Sequence, residues 1–241
     1  MDPASLSTIG NQAGVLTVPA KHFWFRTRYI TASAFQVTHL HPHIIGLDLQ
    51  PSTLATLITS AVSILLPTRA QSWTRTTFPE WFLPSRVVIK QQKPGEAEIA
   101  QEYFDTERAA YTRLKPLQGV VIPRMYGSLH YHGTRALMLD YLDGVSLPTP
   151  EGGTLELEEL SALLQGCYRA LDAFGVQQDD SNLSNFLLVG GTMMVLDLES
   201  AVFHYSADDR AFFTASSIGD LAGKYGEMQA YYRHDGCLEA A

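Results

Sequence analysis

The stretch "GVQQDDSNLSNFLLVGGTMMVLDLES", residues 175–200, constrains the fold more than any other part of the chain. A polar run breaks directly into two short apolar runs, separated by Gly190-Gly191. Tight two-residue hairpin turns need positive φ at their central positions, which glycine adopts without a steric penalty. The pattern therefore predicts a hairpin with strands Phe186–Val189 and Met193–Leu196. Such a hairpin puts Asp180 and Asn185 just before one strand and Asp197 just after the other. Three oxygen-bearing side chains then gather at one end, the kind of donor set that a hard cation such as Mg²⁺ prefers.

The rest of the chain alternates between strand and helix patterns. Residues 1–20 read as a loose terminus, and Phe23–Leu40 as one or two strands, from its alternation and β-branched residues. "PSTLATLITSAVSILLPTR" predicts a helix capped by Ser52 or Thr53 and stopped by Pro67. "SRVVIKQQ" is a short strand. "GEAEIAQEYFDTERAAYTRLKPL" is helical up to Pro116, with Phe104, Tyr111 and Leu114 on one face and Glu107 near them. "VIPRMYGSLHY" and "RALMLDYLDG" form two strands about His132-Gly133. Leu155–Gly175 is a helix with Gly175 as its stop. A last helix is expected near Ile218–Tyr232. The order gives an α+β chain in two parts, divided into 1–144 and 145–241.

With 241 residues and an ordinary apolar share, the chain can bury a real core. Cys167 and Cys237 have no metal-ligand spacing and suit a reducing compartment. No signal peptide is recognised, and Leu54–Leu66 is too short and too rich in Ser and Thr to span a bilayer. A cytoplasmic protein with no membrane association is expected. A formal charge of −8 argues against a large nucleic-acid surface. Lys21, Arg26, Arg28, Arg69, Arg75, Arg86, Lys90 and Lys93 do concentrate cations in the first half. The "HLHPH" run (His39, His41, His43) lacks a supporting Cys or carboxylate and reads as a loop beside a strand rather than a metal site. Trp73, Trp81 and Phe82 are expected in core or cleft packing.

Four segments together resemble the protein-kinase-like superfamily, especially its aminoglycoside- and choline-kinase-type branch and related fungal kinase-like proteins. "VVIK" places Lys90 like the lysine of that family's third strand, and Glu107 like the helix glutamate that pairs with it. "ALMLDYLDGVSL" is similar to the hinge strand, whose backbone at Tyr141 and Leu142 would carry the adenine. In "QDDSNLSNFLL", Asp180 and Asn185 match the catalytic loop's Asp and the Asn five positions on. "VLDLE" matches the metal-binding segment through Asp197. The resemblance implies a two-lobed kinase-like fold with an atypical N-terminal lobe and a shortened C-terminal lobe. It implies ATP and Mg²⁺ as cofactors and a small-molecule acceptor. In that scheme Lys90 and Glu107 serve the phosphates, Asn185 and Asp197 hold Mg²⁺, and Asp180 is the general base.

The sequence departs from that pattern in three ways. Gln178 stands where the family loop has His. No glycine occurs in "AQSWTRTTFPEWFLPSR", where a glycine-rich phosphate loop is expected. Few residues follow Asp197 to build the substrate-binding helices. Two further readings keep the fold and change the chemistry. One is a biosynthetic synthase using aminoacyl-tRNA, by analogy of fold and size with fungal arginine-containing cyclodipeptide synthases. The other is a non-catalytic pseudokinase. Taken singly, Lys90 and Glu107 read as surface charges and Asp180 as a turn former.

Overall fold

A computed structural model describes residues 18–38 and 41–238. The fold is mixed α+β. Strands β1 (Val18–Phe25), β2 (Arg28–Gln36) and β3 (Ile44–Leu49) lead into helices α1 (Thr53–Leu65) and α2 (Thr68–Thr77). Strand β4 (Arg86–Gln91), helix α3 (Ala97–Arg113) and strands β5 (Met125–Tyr131) and β6 (Thr134–Asp140) follow. The six strands form one antiparallel sheet in the order β1-β2-β3-β4-β6-β5.

The second half begins with β7 (Val145–Ser146) and α4 (Leu157–Asp172). Strand β8 (Gln177–Gln178), the hairpin β9 (Phe186–Val189) and β10 (Thr192–Val195), strand β11 (Ala201–Val202) and helix α5 (Ala207–His234) complete it. Strands β10, β9 and β7 make a small sheet, and β11 pairs with β8. Gly190 and Gly191 have φ of 56° and 81°, so the hairpin turn is the one the two glycines specify. Among the described residues no helix is long and apolar enough to cross a membrane.

Side-chain alternation sorts the apolar residues of the large sheet between two cores. Val87, Ile89, Ala136 and Met138 join Phe25, Ile30 and Leu47 on one side. Val88, Leu137 and Leu139 face the other way, toward Phe104 and Tyr111 of α3, Leu160 and Leu164 of α4, and Leu221 of α5. Phe104, Glu107, Tyr111 and Leu114 follow a 3-4-3 spacing and are all buried, so one face of α3 lies against this core.

Several local expectations change. Ser52 caps α1 as expected, accepting from the Ala55 amide at 3.4 Å, and Pro67 ends it. A second helix then begins at once, so the segment searched for a phosphate loop is α2 and a short 3₁₀ turn, Pro79–Trp81. The connection from β2 to β3 ends beside Lys90, because Ile44 pairs with Lys90 in the sheet. That connection carries His41 and His43, whose rings meet edge-on, as a turn beside a strand; His39 lies outside the described residues. Trp73 is 63% exposed and packs in no core, whereas Trp81 and Phe82 are half-buried beneath Arg28 and Arg75. Ser206 and Asp209 form a reciprocal capping box that starts α5 at Ala207, well before Ile218.

Candidate functional site

Lys90 sits near the C-terminal end of β4, on the face that looks toward α3. Burying an ammonium there is tolerable only with anionic partners, and three converge on it. Its Nζ lies 2.8 Å from Glu107 Oε1, 2.9 Å from Asp197 Oδ1 and 3.1 Å from Glu199 Oε1. Helix α3 supplies Glu107, and the segment after β10 supplies Asp197 and Glu199. Lys93 makes a short ion pair with Glu199 from the outer side. Two ammonium groups thus face three carboxylates.

Asp197 is held from behind. The Glu199 amide donates to its Oδ1 at 3.0 Å, and the Gln178 side-chain amide donates to its backbone carbonyl. Gln178 therefore braces the Asp197 segment, while its own Oε1 is buried without a partner. The polar loop is organised around Asn185. Its Nδ2 donates to Asp180 Oδ2 at 2.9 Å and to the Asp180 carbonyl at 3.3 Å. Asn182 caps the short turn through the Ser184 amide, and Lys224 of α5 donates to the Ser181 carbonyl at 2.7 Å. The Leu196 amide donates to the Asn185 carbonyl at 2.8 Å, which ties the loop to the strand leading into Asp197.

Five of the seven residues singled out from the sequence thus fall into two adjoining groups: Lys90, Glu107 and Asp197 in one, Asp180 and Asn185 in the other. Tyr141 and Leu142 lie elsewhere. Lys90 pairs with Leu137 in the sheet, whereas Tyr141 follows Asp140, the partner of Val87. Tyr141 is therefore about 13 Å along the sheet from Lys90. Its ring packs against Phe35 and Arg86.

The charges shift as this geometry requires. Burial opposes the Lys90 ammonium, but Glu107, Asp197 and Glu199 together outweigh it and hold its pKa above the ordinary value. Burial pushes the Glu107 carboxyl up to about 7, with Lys90 opposing and Asp197 and Glu199 reinforcing. Burial also pushes Asp197 up, yet Lys90, the Glu199 amide and Lys93 prevail and bring it below the usual carboxylate range. Of Glu107 and Asp197, Glu107 is accordingly the one that takes a proton first as pH falls.

Glu107, Asp197 and Glu199 each offer an oxygen within 4.8 Å of the others, a spacing at which carboxylates can hold a metal ion. The Lys90 ammonium already occupies that position. Asn185, Asp197 and Asp180 are the alternative oxygen donors. Because Asn185 turns its Nδ2 toward Asp180, its carbonyl oxygen faces the other way.

Glu199 and Lys93 went unrecognised in the sequence. The sequence signal for Glu199 was the second acid of "VLDLE", two positions after Asp197. Lys93 stands beyond the end of β4 and was read only as one of the cations of the first half. No family model matches the chain, and no curated protein matches it.

Proposed function

We propose that the chain is a two-lobed, protein-kinase-like phosphotransferase that moves the terminal phosphoryl group of ATP to a hydroxyl of a small molecule. The observation that carries this reading is the contact of Lys90 with both Glu107 and Asp197, at 2.8 and 2.9 Å. A strand lysine, a helix glutamate and a carboxylate after the hairpin are the three parts that position nucleotide phosphates in the family the sequence resembles. Asn185 and Asp197 would hold Mg²⁺, and their amide and carboxylate oxygens are the hard donors this ion takes. When bound, that ion neutralises charge on the phosphates.

The chain's own groups do the remaining work. Lys90 stays charged, because three carboxylates raise its pKa, and so offers a permanent cation to the phosphates. Glu107 and Glu199 hold its Nζ in place. Asp180 accepts from Asn185 on Oδ2, which fixes the carboxylate plane and leaves Oδ1 for the acceptor hydroxyl. As that hydroxyl oxygen bonds to phosphorus and the bond to the ADP oxygen breaks, its proton passes to Asp180.

The test is calorimetric titration with ATP and Mg²⁺, followed by single-turnover assays with hydroxyl acceptors. Asp180→Asn should leave nucleotide affinity nearly unchanged and slow transfer by about 10²- to 10⁴-fold. Asp197→Asn should weaken metal-dependent ATP binding. A folded wild-type protein that binds no ATP at millimolar concentration overturns the reading.

A further inference from the structure

Helix α1 turns its largest apolar side chains to water. Leu54, Leu57, Ala61, Ile64 and Leu65 recur at three- and four-residue spacing and fall on one stripe. The four large ones are 54–79% exposed. Ala55, Ile58 and Val62, on the neighbouring stripe, turn toward the protein, and of these only Ala55 is buried. Helix α2 buries no residue, and its Trp73 is as exposed as the α1 stripe. Polar contacts tie the two helices down. Gln71 donates to the Ser63 and Leu66 carbonyls at 3.1 and 2.9 Å, and the Thr59 hydroxyl donates to the Trp81 carbonyl at 3.5 Å.

A helix of thirteen residues is marginal in water, and eight of these thirteen are Thr, Ser, Ile or Val, which form helices poorly. Such a helix ordinarily owes its stability to burial of an apolar face, and here the stripe of largest side chains is bare. The charges around it say what covers it. Residues 49–79 contain Arg69 and Arg75 and no other ionised side chain, in a chain whose formal charge is −8. Arg69 is exposed in the first turn of α2, and Arg75 is exposed in the last. A second copy of the chain, paired through the same segment, would bring two more arginines and no carboxylate to meet them. An anionic lipid surface supplies both requirements, acyl chains for the stripe and headgroup charge for the arginines.

We propose that α1 lies flat on an anionic lipid bilayer, with Leu54, Leu57, Ile64 and Leu65 in the acyl boundary and Arg69 and Arg75 among the headgroups. Trp73, on the adjoining helix, suits the headgroup layer. Helix α1 is about 20 Å long and the hydrocarbon core about 30 Å thick, so it cannot cross. Lying on the surface asks for an exposed apolar stripe instead of length. The contact is independent of the reaction at the Lys90 cluster.

The experiment is flotation with large unilamellar vesicles, either phosphatidylcholine alone or phosphatidylcholine with about one-third phosphatidylserine. Wild type, Leu57→Gln/Ile64→Gln and Arg69→Gln are compared, each verified as folded by thermal melting. All three substituted positions are exposed. Wild type should bind the anionic vesicles well above the neutral ones, and less tightly as salt rises. The double variant should lose at least about 30-fold in affinity, as two apolar side chains no longer leave water. Arg69→Gln should lose about 5-fold on anionic vesicles, the share of one cation near the surface. A wild type that binds neither vesicle or both equally, or a double variant that keeps its affinity, overturns the proposal. So does sedimentation equilibrium showing a dimer that the double variant dissolves, because a second copy then covers the stripe.

Discussion

Lys90→Met removes the cation shared by Glu107, Asp197 and Glu199 and keeps an apolar stem in its place. The three carboxylates lie within 4.8 Å of one another. Two unit charges that close repel by about 3.5 kcal/mol at an effective dielectric of about 20. Three such pairs together reach the order of a whole domain's stability. The variant escapes that cost by taking up protons, so the expected deficit is that of one broken buried pair, about 3–5 kcal/mol at pH 8. The pH dependence has a definite sign. A carboxyl with a raised folded-state pKa contributes stability below its unfolded value and loses that contribution as pH rises through the folded value. Glu107 is already pushed to about 7 with Lys90 present. Without Lys90 its pKa lies higher, and the window runs from about 4.5 to beyond 7. Urea unfolding followed by tryptophan fluorescence at pH 5 and pH 8 measures the effect in both proteins. The deficit at pH 5 should be less than half that at pH 8. An equal deficit at both pH values, or one below about 1 kcal/mol at pH 8, would refute the charge-cluster reasoning.

Three further outcomes are expected. Tyr225→Phe removes a hydroxyl that donates to the Gly152 carbonyl at 2.7 Å and accepts from the Leu155 amide at 2.9 Å; urea unfolding should show a loss of about 1–3 kcal/mol. Glu80→Ala removes a buried carboxylate that binds the exposed side chains of Arg26 at 3.3 Å and Thr27 at 2.7 Å; because those partners regain water, a loss of only about 0.5–1.5 kcal/mol is expected, with proteolysis of the α1–α2 segment becoming faster. The Cys167 thiol is buried and pushed up to about 12 by that burial, whereas Cys237 is exposed. An alkylating reagent should therefore modify one thiol per native chain and both after denaturation.

The local elements were legible where chemistry repeats at short range. The Gly-Gly hairpin, the α3 face through Phe104, Tyr111 and Leu114, and the Ser52 cap each rest on interactions within a few residues. Strand β3 was not seen, because "IIGLDL" contains a glycine whose value lies in the ring of Phe35 placed on it by the sheet. Helix α2 was hidden because "TRAQSWTRTT" buries no residue at all, so it shows no apolar stripe. The start of α5, residues 207–217, was missed for a related reason: Ser217 is its only buried residue, so that stretch shows no apolar stripe. In the site, Lys90, Glu107, Asp180, Asn185 and Asp197 were singled out because their motifs resemble those of the kinase-like family in order and spacing. Glu199 and Lys93 match no position of those motifs, and only the folded contact between segments about a hundred residues apart brings them together.

That sequence separation has a consequence for how the molecule comes together. Lys90 reaches Glu107 across 17 positions and Asp197 across 107. Closing the longer loop costs about 1.6 kcal/mol more in chain entropy than closing the shorter one. The lysine therefore finds its helix partner early, within a unit that an emerging chain has already released. It meets the post-hairpin carboxylates only when the last third of the chain has folded against the sheet. Recovery of the Lys90–Asp197 contact is then a late event in refolding, and regained ligand binding should lag behind regained secondary structure.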